Sequence, residues 1–194
     1  MSRVVAFESV SLDGVMQAPG RPDEDRRGGF EHGGWAIRYM DPDMGRAAGE
    51  SMASTRALLF GRRTYEDFYS FWPKQSDDNP FTTVLNNTQK FVASTTLREP
   101  LPWQNSTLLK GDATDAVAAL KAEPGKDFVI LGSGELVRSL ALRGLIDEYV
   151  LLIHPLLLGS GRRLFEGESH AGLKLVDART TSTGVVISRY QTAA

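Results

Sequence analysis

The stretch Asp127-Phe128-Val129-Ile130-Leu131 sets four apolar residues in a row and breaks at Gly132-Ser133-Gly134, after which "ELVRSLALRGL" repeats apolar residues at helical spacing. A strand that is apolar on both faces needs cover on both faces, and a parallel sheet lying between helices provides it. Tyr149 to Ile153, "YVLLI", makes the same demand and ends at His154-Pro155. With 194 residues the chain is long enough to bury one core of this kind, so residues 1–194 read as a single domain.

The remaining elements follow from local signals. Val4 to Val10 is β-branched and apolar, and Ser11-Leu12-Asp13-Gly14 supplies a turn that ends it. From Pro19 to Gly34 there are five glycines, two prolines and seven charged residues with no period, the pattern of a mobile surface loop. Asp41 is placed to cap a helix with Pro42 at its first position, running about three turns. Arg56 to Phe60 reads as a strand and Thr64 to Tyr69 as a helix that stops near Trp72-Pro73. Lys90 to Ser94 is a short strand, "STLLKG" from Ser106 a further candidate, and Asp112 or Thr114 caps a helix that Pro124-Gly125 ends. The tail "LKLVDARTTSTGVVISRYQT" reads as two antiparallel strands joined around Thr181 to Gly184. Alternating strands and helices followed by a hairpin predict a three-layer α/β/α domain, its central sheet mostly parallel with an antiparallel C-terminal edge.

Composition narrows the chemistry. There is no cysteine, which excludes disulfides, thiolate metal sites and cysteine nucleophiles. His32, His154 and His170 are scattered along the chain and suggest no metal site. A net charge of -2 gives no electrostatic reason to expect nucleic acid as a partner. No apolar run approaches the ~20 residues of a membrane span, and the amino terminus begins as a strand without a signal-peptide layout. The expected protein is soluble and cytoplasmic, with a small molecule as its partner.

Three places share one arrangement, an apolar strand running into glycine or hydroxyl residues at a helix start: Gly61-Arg62-Arg63-Thr64, Ser94-Thr95-Thr96 and Gly132-Ser133-Gly134. At the carboxyl ends of parallel strands, helix amino termini present unpaired N–H groups and positive dipole ends that suit phosphate oxygens. Each turn alone is equally well read as a backbone device, and Arg62 and Arg63 as a solvated pair. Together, three such turns meet the demand of a dinucleotide, whose phosphates need several of them along one sheet edge.

These segments, taken with "SVSLDG", "LLFGRRTYEDF", "FVASTTL" and "VILGSGELVRSLALRGLIDEYVLLIHPLLLGSGRRLF", resemble the dihydrofolate reductase fold. They resemble more closely the reductase half of the bifunctional deaminase-reductase of riboflavin biosynthesis, in its stand-alone relatives. The resemblance implies an NAD(P)H-dependent oxidoreductase, with NADPH expected and NADH an alternative. Its hydride acceptor would be a pterin, a pyrimidine or a ribosylamine such as 5-amino-6-(5-phosphoribosylamino)uracil. It implies cofactor roles for Gly61, Arg62, Arg63, Thr64, Ser94, Thr95, Gly132, Ser133, Gly134 and Glu135, with Arg62 and Arg63 near the 2′-phosphate. On the substrate side it nominates Trp35, His154, Gly161 and Arg162, with Asp13 and Asp43 as catalytic carboxylates and a homodimer through the C-terminal half. The carboxylate that dihydrofolate reductases carry on the first helix has no clean counterpart, since ungapped counting back from Gly61 reaches Gly45. A non-catalytic dinucleotide-binding dimer on the same fold is the alternative reading.

Overall fold

The computed structural model describes residues 1–76, 80–167 and 171–193. His170 lies outside the described residues. In chain order the elements are β1 (Val4–Ser11), α1 (Pro42–Ala53), β2 (Thr55–Gly61), α2 (Arg62–Phe71), α3 (Pro80–Asn87), β3 (Gln89–Ala93), β4 (Ser106–Leu108), α4 (Ala113–Ala122), β5 (Asp127–Leu131), α5 (Gly134–Leu142), β6 (Glu148–His154), β7 (Leu173–Thr180) and β8 (Val186–Thr192). The described strands form one sheet in the order β4-β3-β2-β5-β1-β6-β8-β7. β1 pairs in parallel with β5 and β6, with Val4 opposite Phe128 and Phe7 opposite Leu131. β8 and β7 add antiparallel strands at one edge.

Side-chain alternation splits the core into two layers, as a strand period of two requires. Val4, Ala6 and Val10 of β1 face Val117 of α4 and Leu136, Val137 and Leu140 of α5. Val5, with Leu58 and Phe60 of β2, faces Met44, Ala47 and Met52 of α1 and Tyr65 of α2. The apolar strands read from sequence are therefore covered on both sides. The three-layer α/β fold with a mostly parallel sheet and an antiparallel edge is the one observed.

Capping explains where two helices begin. Asp41 accepts the Asp43 N–H (2.8 Å) and its second carboxylate oxygen takes the Ser182 N–H (3.0 Å), fixing α1 to the turn between β7 and β8. Asp112 accepts the N–H groups of Thr114 and Asp115 and so caps α4. α2 starts at Arg62, two residues before the helix expected from Thr64, which puts both arginines in its first turn. The helix α3 is absent from the sequence expectation, because Thr, Val and Asn give weak helical signals and tertiary packing decides; Leu85 is fully buried there.

The segment read as a mobile loop from Pro19 to Gly34 is a loop, but a tethered one. Gly34 N–H donates to Ala18 O and Ala36 N–H to Pro19 O, while Gln17 Nε2 donates to the carbonyls of Asp25 and Arg27. Phe30 is buried within it, and Arg21 pairs with Asp67 of α2.

One buried cation holds α3 to the sheet. Lys90 of β3 is fully buried, and its ammonium donates to Asn86 O (3.3 Å), Thr88 O (2.7 Å) and Gln104 O (3.1 Å) with the Trp103 ring centroid at 4.4 Å. The last carbonyls of α3 lack intrahelical donors, and the ammonium supplies them. Replacing Lys90 by Met keeps the volume and removes the donors, so Lys90→Met is expected to cost about 3 kcal/mol, as buried acceptors left unmatched do. Chemical denaturation with the midpoint unchanged would contradict this role.

Candidate functional site

A cavity of about 1060 Å³ opens at the carboxyl ends of β1, β2, β3 and β5, at the upper end of the ~300–1,000 Å³ range for ligand sites. Its walls bring together residues from all three sequence-predicted turns: Gly61, Arg62, Arg63 and Thr64, then Ser94 and Thr95, then Gly132, Ser133, Gly134 and Glu135. Arg162 reaches the same cavity from the loop after β6.

Two of these turns are locked to each other. The Gly61 N–H donates to Ser133 Oγ (3.0 Å), and the Ser133 N–H donates to Thr64 Oγ1 (3.1 Å). Gly132 has φ +62° and a Cβ there would stand 3.2 Å from Thr64 Cγ2, so the close approach of α2 requires glycine at that point. Ser133 follows in the left-handed region, φ +60°. A Cβ at Gly134 would collide with Met16 Sδ at 2.2 Å.

The helix starts at this edge differ in a telling way. α1 and α4 carry aspartate caps, whereas α2 and α5 have no side-chain cap. The N–H groups of their first turns therefore keep hydrogen-bonding capacity toward the cavity, beside the positive end of each helix dipole. The arginines on the rim are held by carboxylates: Arg62 by Glu66 at 3.0 Å, and Arg63 and Arg162 both by Glu135, at 3.7 and 2.9 Å. Exposed pairs of this type are weak and exchange readily for a stronger anion. Ser94 already accepts the N–H groups of Thr96 and Leu97, so its hydroxyl shapes its own turn, and Thr95 beside it is exposed.

The structure does not bring the substrate-side nominees into this cavity as a group. Asp13 lies outside it and clasps two loops: it accepts Ser11 Oγ (2.7 Å) and the N–H groups of Leu158 (3.1 Å) and Gly159 (2.9 Å). Those donors hold its carboxyl at about 2, the Ser11 hydroxyl foremost. Asp43 sits in the first turn of α1, paired with Arg46 and away from the cavity, and Gly45 faces open space. Trp35 donates its indole N–H to Gln17 O (2.7 Å) and packs edge-on against the buried His154 ring at 5.0 Å. His154 places Nδ1 2.9 Å from Leu152 O, and burial pushes its pKa down. Gly161, φ +107°, packs against Phe30 and Val15. Among the described residues, no group of three or more His, Asp or Glu side chains could hold a metal ion, and no helix is long and apolar enough to cross a membrane.

Several cavity residues were missed in the sequence. Gln17 and Met16 follow the first turn, and Glu24 and Asp67 close one wall, with burial pushing both carboxyls up. Glu8 lies in the strand β1 itself. The available signal was its position, since it breaks the apolar series Val4, Ala6, Val10 where alternation calls for a core residue.

With this geometry in view, the family of the RibD C-terminal domain matches residues 2–187. The uncharacterized protein YyaP of Bacillus subtilis (strain 168) is 32% identical over 189 residues, covering 95% of this chain and 92% of that protein. Among solved structures, a putative riboflavin biosynthesis protein from Shewanella sp. PV-4 superimposes with a TM-score of 0.76 at 26% identity over 99% of both chains. Dihydrofolate reductase from Enterococcus faecalis, in complex with NADP(H), gives a TM-score of 0.64 at 12% identity, covering 99% of this chain and 97% of that one, a likeness of fold.

The clasp made by Asp13 gives a pH-dependent expectation. Its folded carboxyl lies below the ordinary 3.8, so its stabilisation is fully present above pH ~4 and is lost as pH falls toward 2. Thermal melts of wild type and Asp13→Asn should differ at pH 5 to 7 and converge between pH 4 and 2. A gap that stays constant to pH 2 would show that the ionised carboxylate is not what holds the loops.

Proposed function

The chain belongs to the RibD C-terminal domain family, and on that premise we propose that it is a cytoplasmic NADPH-dependent reductase acting on a C=N or C=O bond of a small heterocycle or ribosylamine. Family membership and the fold support a reductase of riboflavin-type metabolism. The observation that carries the cofactor reading is the convergence, on one cavity, of two uncapped helix amino termini, two locked turns and a set of arginines that includes Arg62, Arg63 and Arg162.

The residues fit such a group on their own chemistry. The N–H groups opening α2 and α5 and the left-handed Gly132-Ser133 backbone suit pyrophosphate oxygens. Arg62 and Arg63 suit a terminal phosphate, which guanidinium groups bind in bidentate fashion, and Glu66 and Glu135 hold them in place until it arrives. Bound there, a reduced nicotinamide dinucleotide supplies the hydride, and the protein supplies position and electrostatics. Ser133 and Thr64 keep the α2 and α5 turns at a fixed separation, and the Pro19 to Gly34 loop, tied down through Gln17 and the Arg21–Asp67 pair, shields one wall from water.

We further propose that two copies associate through the C-terminal edge. Among the described residues β7 is paired on one side, by β8, and Leu173, Leu175 and Val176 along it are 41%, 52% and 49% exposed. An apolar edge strand of this length is an aggregation hazard unless a partner covers it. Light scattering at micromolar concentration should give twice the mass of the chain, and a monomer mass would overturn the association.

The cofactor reading is tested by calorimetric titration of NADPH and NADH into wild type and into the Arg62→Ala, Arg63→Ala double variant. Loss of charge-assisted bonds to one phosphate should weaken NADPH by ~10- to 100-fold and leave NADH nearly unchanged. Negligible binding of both dinucleotides to wild type at millimolar concentration would overturn it.

A further inference from the structure

Glu8 is the feature of the cavity that neither the fold nor the phosphate turns explain. It lies on β1, directly beyond the register pair Phe7 and Leu131, and so stands beside Gly132. Its side chain is on the core side of the sheet with Val4, Ala6 and Val10, and the residue is 2% exposed while lining the cavity. The Gly132 amide bears on its carboxyl, and among the described residues Oε1 is buried with no hydrogen-bond partner.

A buried carboxylate is ordinarily matched by a cation, because an unpaired charge in a low-dielectric site is strongly disfavoured. Among the described residues no cation pairs with Glu8. On α2, Arg62 and Arg63 are engaged by Glu66 and Glu135; on α5, Arg138 donates to Arg163 O; from the loop after β6, Arg162 is held by Glu135; from the Pro19 to Gly34 loop, Arg26 donates to Pro22 O and Arg27 pairs with Asp25, in a wall shared with the carboxylates of Glu24 and Asp67. Burial therefore pushes the Glu8 carboxyl well above its ordinary value. As a neutral acid it keeps an O–H to donate, as well as an oxygen able to accept the Gly132 amide.

Its neighbour sets the consequence. Gly132 belongs to the turn read above as the pyrophosphate cradle. An ionised carboxylate there would repel a phosphate and compete with it for the same amide, whereas a neutral carboxyl can donate to the ligand. Deepening the reductase reading, on which it rests, we propose that Glu8 is a ligand-binding residue that acts in its neutral form: its hydroxyl donates a hydrogen bond to the dinucleotide in the cavity, and its ionisation expels that ligand.

The test measures the NADPH dissociation constant from pH 6 to 9 in wild type and in Glu8→Gln, alongside a ¹³C NMR titration of the Glu8 carboxyl in the free protein. In wild type, affinity should fall about tenfold per pH unit above the Glu8 pKa. Gln cannot ionise and keeps a donor, so the variant should lack this fall and keep only the pH dependence common to both proteins, such as that of the ligand's own 2′-phosphate. Lys90, drawn down to about 8 by burial, lies outside the cavity and titrates in both proteins, so it cancels in the comparison. The NMR titration is expected to show Glu8 ionising well above 4.5 and the same resonance shifting when NADPH is added. Titration near 4.5, a pH-independent wild type, or equal pH dependence in both proteins would overturn the role of Glu8 alone. Absence of NADPH binding at every pH would remove the cofactor reading and this inference with it.

Discussion

The site depends on one short network: Gly61 N–H to Ser133 Oγ, and Ser133 N–H to Thr64 Oγ1. β2 and β5 are neighbours in the sheet, and each is followed at once by a turn and a helix. Parallel strands carry both turns to the same edge, but strand pairing alone leaves the helix starts free to diverge. The two hydrogen bonds fix their separation, and the absence of a Cβ at Gly132 lets the Thr64 side chain sit against the turn. The serine that this network consumes at Oγ is also the one that would otherwise cap α5. The same contact thus joins the turns and leaves the helix amino terminus open.

That arrangement explains which parts of the protein were legible in its sequence. Continuous apolar strands such as "DFVIL" specify two covered faces, so the layered fold followed from local patterns. The turns lining the cavity were visible because each sets glycine or hydroxyl residues directly after an apolar strand, and it was their joint occurrence, not any one of them, that set them apart from ordinary backbone devices. α3 was not visible, because its hold on the sheet comes from a lysine three residues beyond its end in the chain, donating to the carbonyls of Asn86, Thr88 and Gln104. A solvent-loving residue in a short strand carries no sign of that partnership.

The substrate side was less legible for a related reason. Asp13 is two residues past a strand end and looks available for chemistry, yet the Leu158 and Gly159 amides that occupy it arrive from a loop some 145 residues later. Trp35 and His154 do meet, but as an edge-on pair of rings sealed beneath the tethered loop. In each case the missing information is which distant backbone group fills the side chain's hydrogen-bonding capacity. Gly45, the position that ungapped counting reached for the first-helix carboxylate, faces open space.

On the proposed reading, the charge around the cavity suits an anionic ligand that is bound and released. Arg62, Arg63 and Arg162 stand at the rim, each already balanced by an exposed glutamate, so an incoming phosphate replaces weak pairs and desolvates little new charge. Deeper in, Glu24 and Asp67 have their carboxyl pKa values raised by burial, and Glu8 is raised furthest with no cation to reverse it. Wholly ionised, these carboxylates would oppose the arginines and weaken attraction for any polyanion. If Glu8 is neutral, as proposed, the potential inside the cavity is set by the rim and by two helix dipoles, and affinity for a phosphate would depend on the protonation state of Glu8 as well as on the arginines.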